Sequence, residues 1–86
     1  MKRNMDGNEQ AAYNITGHRI REAREKAHLT QKQLSIKLET MAVYVCRGSI
    51  SRIENGVRIV SDYELQAIAQ ILKVPIEALF PTEDQN

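Results

Sequence analysis

Between Cys46 and Gly56 the chain reads CRGSISRIENG, and its capacity for chemistry lies in two arginines and a set of short polar side chains. Arg47 and Arg52 each carry a planar guanidinium whose forked donors can engage two acceptors at once, as on a phosphate or on the O6 and N7 edge of guanine. Ile50 and Ile53 are three residues apart. A helix over this stretch therefore turns the isoleucines to one side and Arg47, Gly48, Ser51, Arg52 and Asn55 to the other. Glycine inside a helix costs about 0.5–1 kcal/mol against alanine, and close approach of a base or sugar to Gly48 would compensate. Ser49 and Ser51 are short enough to permit the same approach.

Other chemistries find little support. The sequence contains no set of nucleophile, base and orienting group, and no phosphate-cradling glycine loop, so an enzyme is not expected. His18, His28 and Cys46 are too scattered for a zinc site, whose ligands come in tight pairs; they read as surface histidines and a half-buried thiol. No metal, cofactor or small-molecule ligand is expected. A lone cysteine excludes an internal disulfide and fits a reducing compartment. MKRNMDGNEQAAYN begins with basic residues but no apolar region follows, and the longest uninterrupted apolar run is Met41 to Cys46. Neither a secretory signal nor a membrane span is expected, which makes the cytoplasm the expected location.

The elements that must position these residues have to fit into 86 residues, enough for one domain with a small core. Apolar residues make up 42% but only one phenylalanine, three tyrosines and no tryptophan are present, which favours packed helices over a β-sandwich. Net charge is +1 and uninformative by itself. Its distribution is not. Residues 16–60 carry nine basic side chains against four acidic ones, and residues 61–86 carry one against five. A basic centre with an acidic end points one side of the domain toward a polyanion.

Residues 1–14 are polar and without periodicity, and are expected to form a flexible N-terminal arm. Ile20, Ala23 and Ala27 then recur at helical spacing and predict a helix over 17–27, with Arg24 pointing inward in need of a carboxylate. Thr30 and Gln33 form a capping box that opens a second helix from Gln31 to about Thr40. The alternation of Leu34, Ile36 and Leu38 leaves a hairpin over 34–45 as the rival reading. Val43 and Val45 suggest an extended connector tucked under the bundle. With Cys46 near its N-cap, a third helix follows, and Gly56 suits a left-handed C-terminal cap. Ser61 and Glu64 form a second capping box, opening a helix with Leu65, Ile68, Ala69 and Leu72 on its apolar stripe. Pro75 suits the first turn of a fifth, short helix that would carry Ile76, Leu79 and Phe80 into the core. The fold class expected is all-α, a compact five-helix bundle over residues 15–80, with a polar tail over 81–86.

Two consecutive helices, the second displaying short polar and cationic side chains in the basic part of the chain, match a helix-turn-helix: one helix braces on the DNA backbone and the next enters the major groove. RIREAREKAHLTQKQLSIKL, SISRIENG and SDYELQAIAQILKVPIEALF, in that order, resemble the phage-repressor and Cro type of helix-turn-helix domain, often called XRE-like. The resemblance spans residues 15–80 and implies roles for matching positions. Arg47, Gly48, Ser51 and Arg52 would read bases. Gln31, Ser49, Asn55 and Arg58 would meet phosphates. Arg24 and Glu54 would form a partly buried salt bridge joining the first and third helices. This chain departs from the family pattern in two places: the link between the second and third helices exceeds the usual tight turn, and a thiol, Cys46, replaces the usual hydroxyl or carboxamide cap.

These features together predict a sequence-specific regulator that binds double-stranded DNA, acting as a repressor and as a homodimer on a palindromic operator. The rival is a protein-interaction or antitoxin-like adaptor with the same fold. A third reading is a regulatory piece of a DNA-modifying complex.

Overall fold

Two reciprocal caps set the starts of the second and fourth helices. Gln33 N–H donates to Thr30 Oγ1 at 3.0 Å while Thr30 N–H donates to Gln33 Oε1 at 2.8 Å. Glu64 and Ser61 repeat the arrangement at 3.1 and 3.0 Å. Each box satisfies two main-chain donors that a helix start would leave orphaned. The computed structural model describes residues 13–82 and runs α1 (Gly17–Lys26), α2 (Gln31–Glu39), α3 (Arg47–Glu54) and α4 (Asp62–Leu72), then a single 3-10 turn, Ile76–Leu79. There is no strand among the described residues, and α2 occupies the first half of the span the rival hairpin needed.

The four α-helices end in one way. Each chain reversal places a residue in the left-handed region: His28 (φ 60°), Ala42 (φ 61°), Gly56 (φ 79°) and Lys73 (φ 62°). Each residue following these donates back to a carbonyl five residues earlier: Leu29 to Arg24, Val43 to Leu38, Val57 to Arg52 and Val74 to Ala69. This is the Schellman arrangement, which normally favours glycine. Only α3 uses one.

Ile20, Leu34, Leu38, Ile50, Ile53, Ile68 and Leu79 are the largest fully buried side chains and bring all five elements to one centre. Val45 is buried and Val43 packs against the same cluster, as the extended connector required. Two expectations are corrected. The fifth element is one 3-10 turn rather than an α-helix, because Pro75 and Pro81 leave too few residues and donors for an α-helical ladder. Leu79 is buried, whereas Ile76, which opens the turn, and Phe80, where the chain leaves it in extended backbone, are 39% and 37% exposed.

The start of α1 is tied to the end of α3 through Asn14. Its carboxamide oxygen accepts from Thr16 N–H (3.0 Å) and Gly17 N–H (2.7 Å), and its Nδ2 donates to the carbonyls of Ile53 (3.0 Å) and Arg58 (2.9 Å). Tyr13 N–H adds a bond to the Gly56 carbonyl. Gly17 lies close against the end of α3, and a Cβ there would collide with the Ile53 carbonyl oxygen. Of the arm expected over 1–14, residues 1–12 lie outside the described residues, as do 83–86 of the expected tail.

Candidate nucleic-acid interface

The third helix is braced from behind before it presents anything in front. Arg24 on α1 donates through Nε to Glu54 Oε2 at 2.7 Å and through Nη2 to Oε1 at 3.1 Å. Its Nη1 reaches the Leu29 carbonyl at 2.8 Å. Gln31, the first residue of α2, donates to Glu54 Oε1 at 3.0 Å. Glu54 therefore holds α1, α2 and α3 together. The paired side chains are 10% and 2% exposed. The Glu54 carboxylate raises the Arg24 pKa further above its ordinary range, against the opposing effect of burial.

Ile50, Ile53 and Glu54 face inward on α3. By helical periodicity Gly48, Ser51, Arg52 and Asn55 stand opposite, with Arg47 and Ser49 at the edges. Arg47, Arg52 and Asn55 are exposed, and Gly48, Ser49 and Ser51 are half-buried. The Arg47 and Asn55 side chains have no hydrogen-bond partner among the described residues. Arg52 Nη2 donates to Ser49 Oγ at 3.2 Å, and the Cys46 thiol bonds the same oxygen at 3.5 Å. At Gly48 the fold makes no demand for glycine: an added Cβ would meet only Arg52 Nη1, at 3.7 Å.

Cys46 is exposed, which corrects the half-buried thiol expected from sequence, because Val45 takes the inward position beside it. It occupies the N-cap of α3 without capping it through its side chain. Its pKa lies below the ordinary thiol value, first through the Ser49 side-chain hydrogen bond, then through the Ser49 and Gly48 main-chain groups and the Arg52 charge.

Arg58 is occupied. Its Nη1 and Nη2 donate to the two Glu64 oxygens at 3.0 and 3.1 Å, and Nη1 also to the Ile59 carbonyl at 2.9 Å. The pair raises the Arg58 pKa and lowers that of Glu64, and in each case the hydrogen bond to the partner is the largest cause. Of the residues singled out in the sequence, the structure brings Arg47, Gly48, Ser49, Ser51, Arg52 and Asn55 to one helix, with Arg24, Gln31 and Glu54 behind it. His18 and His28 are exposed, His18 beside Glu22 at 3.1 Å. No group able to hold a metal occurs among the described residues.

Asn14 and Gly17 escaped the sequence reading although they position α3. Their signal was available: an asparagine two residues ahead of Thr-Gly, just before a helical period, is the pattern of a side chain that caps from outside the helix.

The turn between α2 and α3 covers residues 40–46, longer than the 3–4 residues of the compact motif. A family model described as helix-turn-helix matches residues 20–79, which takes in α2, α3 and the lengthened turn between them. Comparison with curated proteins and with solved structures returned no match. No helix among the described residues is long and apolar enough to cross a membrane.

Proposed function

Because the chain belongs to the XRE-type helix-turn-helix family, we propose that it is a sequence-specific transcriptional repressor that binds double-stranded DNA as a homodimer on a palindromic operator. One observation carries this reading. The outward face of α3 is polar, cationic and largely free of internal partners, while its inward face is clamped by the Arg24–Glu54 pair. A helix held rigidly at its back with arginines in front loses little freedom when it enters a groove.

In this reading Arg47, Gly48, Ser51 and Arg52 face base edges. A good bidentate arginine–guanine pair discriminates by about 1–3 kcal/mol. Gly48, which nothing inside the fold requires, allows the duplex to approach the helix backbone. Ser49 and Asn55, near the two ends of the helix, meet phosphates. Gln31 keeps a second carboxamide N–H and a first-turn main-chain N–H for a phosphate while its other donor serves Glu54. Arg58 is paired with Glu64, so the two add no net charge to the face, and only the guanidinium N–H groups the pair leaves over would meet a phosphate.

Homodimer half-sites would be centred one helical turn apart, about 34–36 Å, or a multiple of it. Ile76 and Phe80, exposed on the 3-10 turn, offer apolar surface for the dimer contact. The expected cytoplasmic location goes with DNA as partner. The adaptor reading, with α3 docked on a protein, is weaker, because the outward residues of α3 are small, polar or cationic, with no apolar side chain to form a desolvated interface core.

Selection from a random DNA pool, followed by titration of the enriched site at several salt concentrations, tests the proposal. Enrichment of a palindrome whose binding weakens steeply with salt is the expected result. A pool without enrichment would exclude base reading and favour the adaptor, and salt-insensitive binding of the enriched site would exclude the phosphate contacts.

A further inference from the structure

Tyr44 is an aromatic side chain that the fold leaves outside. It is 74% exposed, whereas Val45 beside it is 2% exposed. The reason is local. Residues 43–46 lie outside any helix and their burial alternates: Val43 and Val45 pack on the core, and Tyr44 and Cys46 are exposed. The mount is firm at both ends. Ala42 and Val43 donate to the carbonyls of Glu39 and Leu38, and the Cys46 carbonyl accepts the first hydrogen bond of α3 from Ile50. A large ring on a pinned backbone, with most of its surface in solvent, is presented for a contact from outside.

Its surroundings define that contact. Tyr44 lines a shallow concavity of about 330 Å³ with Ser35 and Glu39 of α2, and with Val45, Cys46 and Ser49 at the start of α3. Ser49 Oγ is the atom that also holds Arg52 Nη2, so a continuous polar surface runs from the outward face of α3 to the tyrosine ring. Glu39 repels an anion from the α2 side. A polyanionic strand is therefore directed past the ring on the side of Cys46 and Ser49.

We propose that Tyr44, carried on the lengthened turn, is an additional DNA contact: its hydroxyl donates to a backbone phosphate at the edge of the groove entered by α3, and its ring covers the adjoining sugar. The inference rests on the DNA-binding reading of α3 and extends it to the turn. Tyrosine is among the side chains that hydrogen-bond phosphates, and such contacts fix register without reading sequence. Since the group is uncharged, it adds affinity without releasing a counterion.

The test compares the full chain with Tyr44→Phe, Tyr44→Ala and Arg52→Ala, titrated against a pool-selected site and a scrambled duplex over a range of salt, with melting temperatures alongside. Tyr44→Phe should weaken both duplexes alike, by about tenfold. Tyr44→Ala should weaken them at least as much, with the slope of log K against log salt and the melting temperature unchanged. Wild-type affinity in both tyrosine variants, while Arg52→Ala loses its preference, would overturn the contact and leave the α3 reading standing. A lowered melting temperature in Tyr44→Ala, accounting for the lost affinity, would also overturn it. If the unaltered chain binds neither duplex, the contact and the DNA reading fall together.

Discussion

Arg24 and Glu54, 30 residues apart in the chain, close a two-pronged ion pair with nitrogen–oxygen distances of 2.7 and 3.1 Å directly behind the face of α3 that carries Arg52. Such a pair stabilises little in net terms, because both ions lose their hydration. Its consequence is geometric: it fixes the rotation of α3 against α1 and α2, and so decides which residues face out.

Removing one partner leaves the other buried and unpaired. Glu54→Ala should therefore lower unfolding free energy by about 3–5 kcal/mol in a denaturant titration. At temperatures where the variant remains folded, its base preference should change less than its stability. An unaltered denaturation midpoint would refute the structural role.

At the front of the same helix the order reverses. Arg52→Ala should weaken binding to a selected site by about 1–3 kcal/mol and relax preference at one base pair, with little change in melting. A binding titration over single-base variants of the site reads both effects.

Two glycines should respond oppositely to alanine. Gly17→Ala places a methyl group against the Ile53 main-chain carbonyl, which cannot turn aside, and should cost about 1–3 kcal/mol of stability. Gly48→Ala has open space and better helix propensity, so it should raise stability by about 0.5–1 kcal/mol while weakening DNA binding. Thermal melts of both variants, with a binding titration of the second, check the contrast.

Left-handed residues with side chains carry a removable cost. Lys73→Gly and Ala42→Gly should each stabilise the fold by about 0.5–1 kcal/mol, and Gly56→Ala should destabilise it by about 1 kcal/mol or more. Melting temperatures rank the three. A drop in Lys73→Gly would show that the lysine makes a compensating contact.

The Arg58–Glu64 pair predicts an acid-side dependence. Arg58 holds the Glu64 pKa below its ordinary 4.5. A carboxylate with a depressed folded pKa contributes its stability above the unfolded value, and that contribution is lost as pH falls through the folded one. The difference in unfolding free energy between the wild type and Arg58→Met should therefore be constant above about pH 5 and shrink as pH drops below 4.5. A difference that does not change across that range would show that the pair does not stabilise the fold.

Most of the element order was readable from short-range chemistry. Thr30 with Gln33 and Ser61 with Glu64 announce helix starts because a cap is a bond across three residues, and Gly56 announces a stop because its backbone alone adopts the required φ without cost. The stops at His28, Ala42 and Lys73 were not readable. There the return hydrogen bonds and the packing of the next element override the local preference against a left-handed residue.

The outward set on α3 was likewise legible, since Ile50 and Ile53 orient the helix by periodicity alone. Periodicity erred in the last element, where the helix is cut to one turn and the chain leaves it in extended backbone at Phe80, so that Leu79 is buried and Ile76 and Phe80 stay outside. What the amino-acid order determined by itself was the set of helices and the polarity of each face, because caps and apolar spacing act within a turn or two of the chain. What only the tertiary structure decided were the contacts between segments distant in sequence: Asn14 on Ile53 and Arg58, Gly17 against α3, and Gln31 on Glu54. Each of these depends on where a neighbouring element comes to lie, and that position exists only once the core has closed.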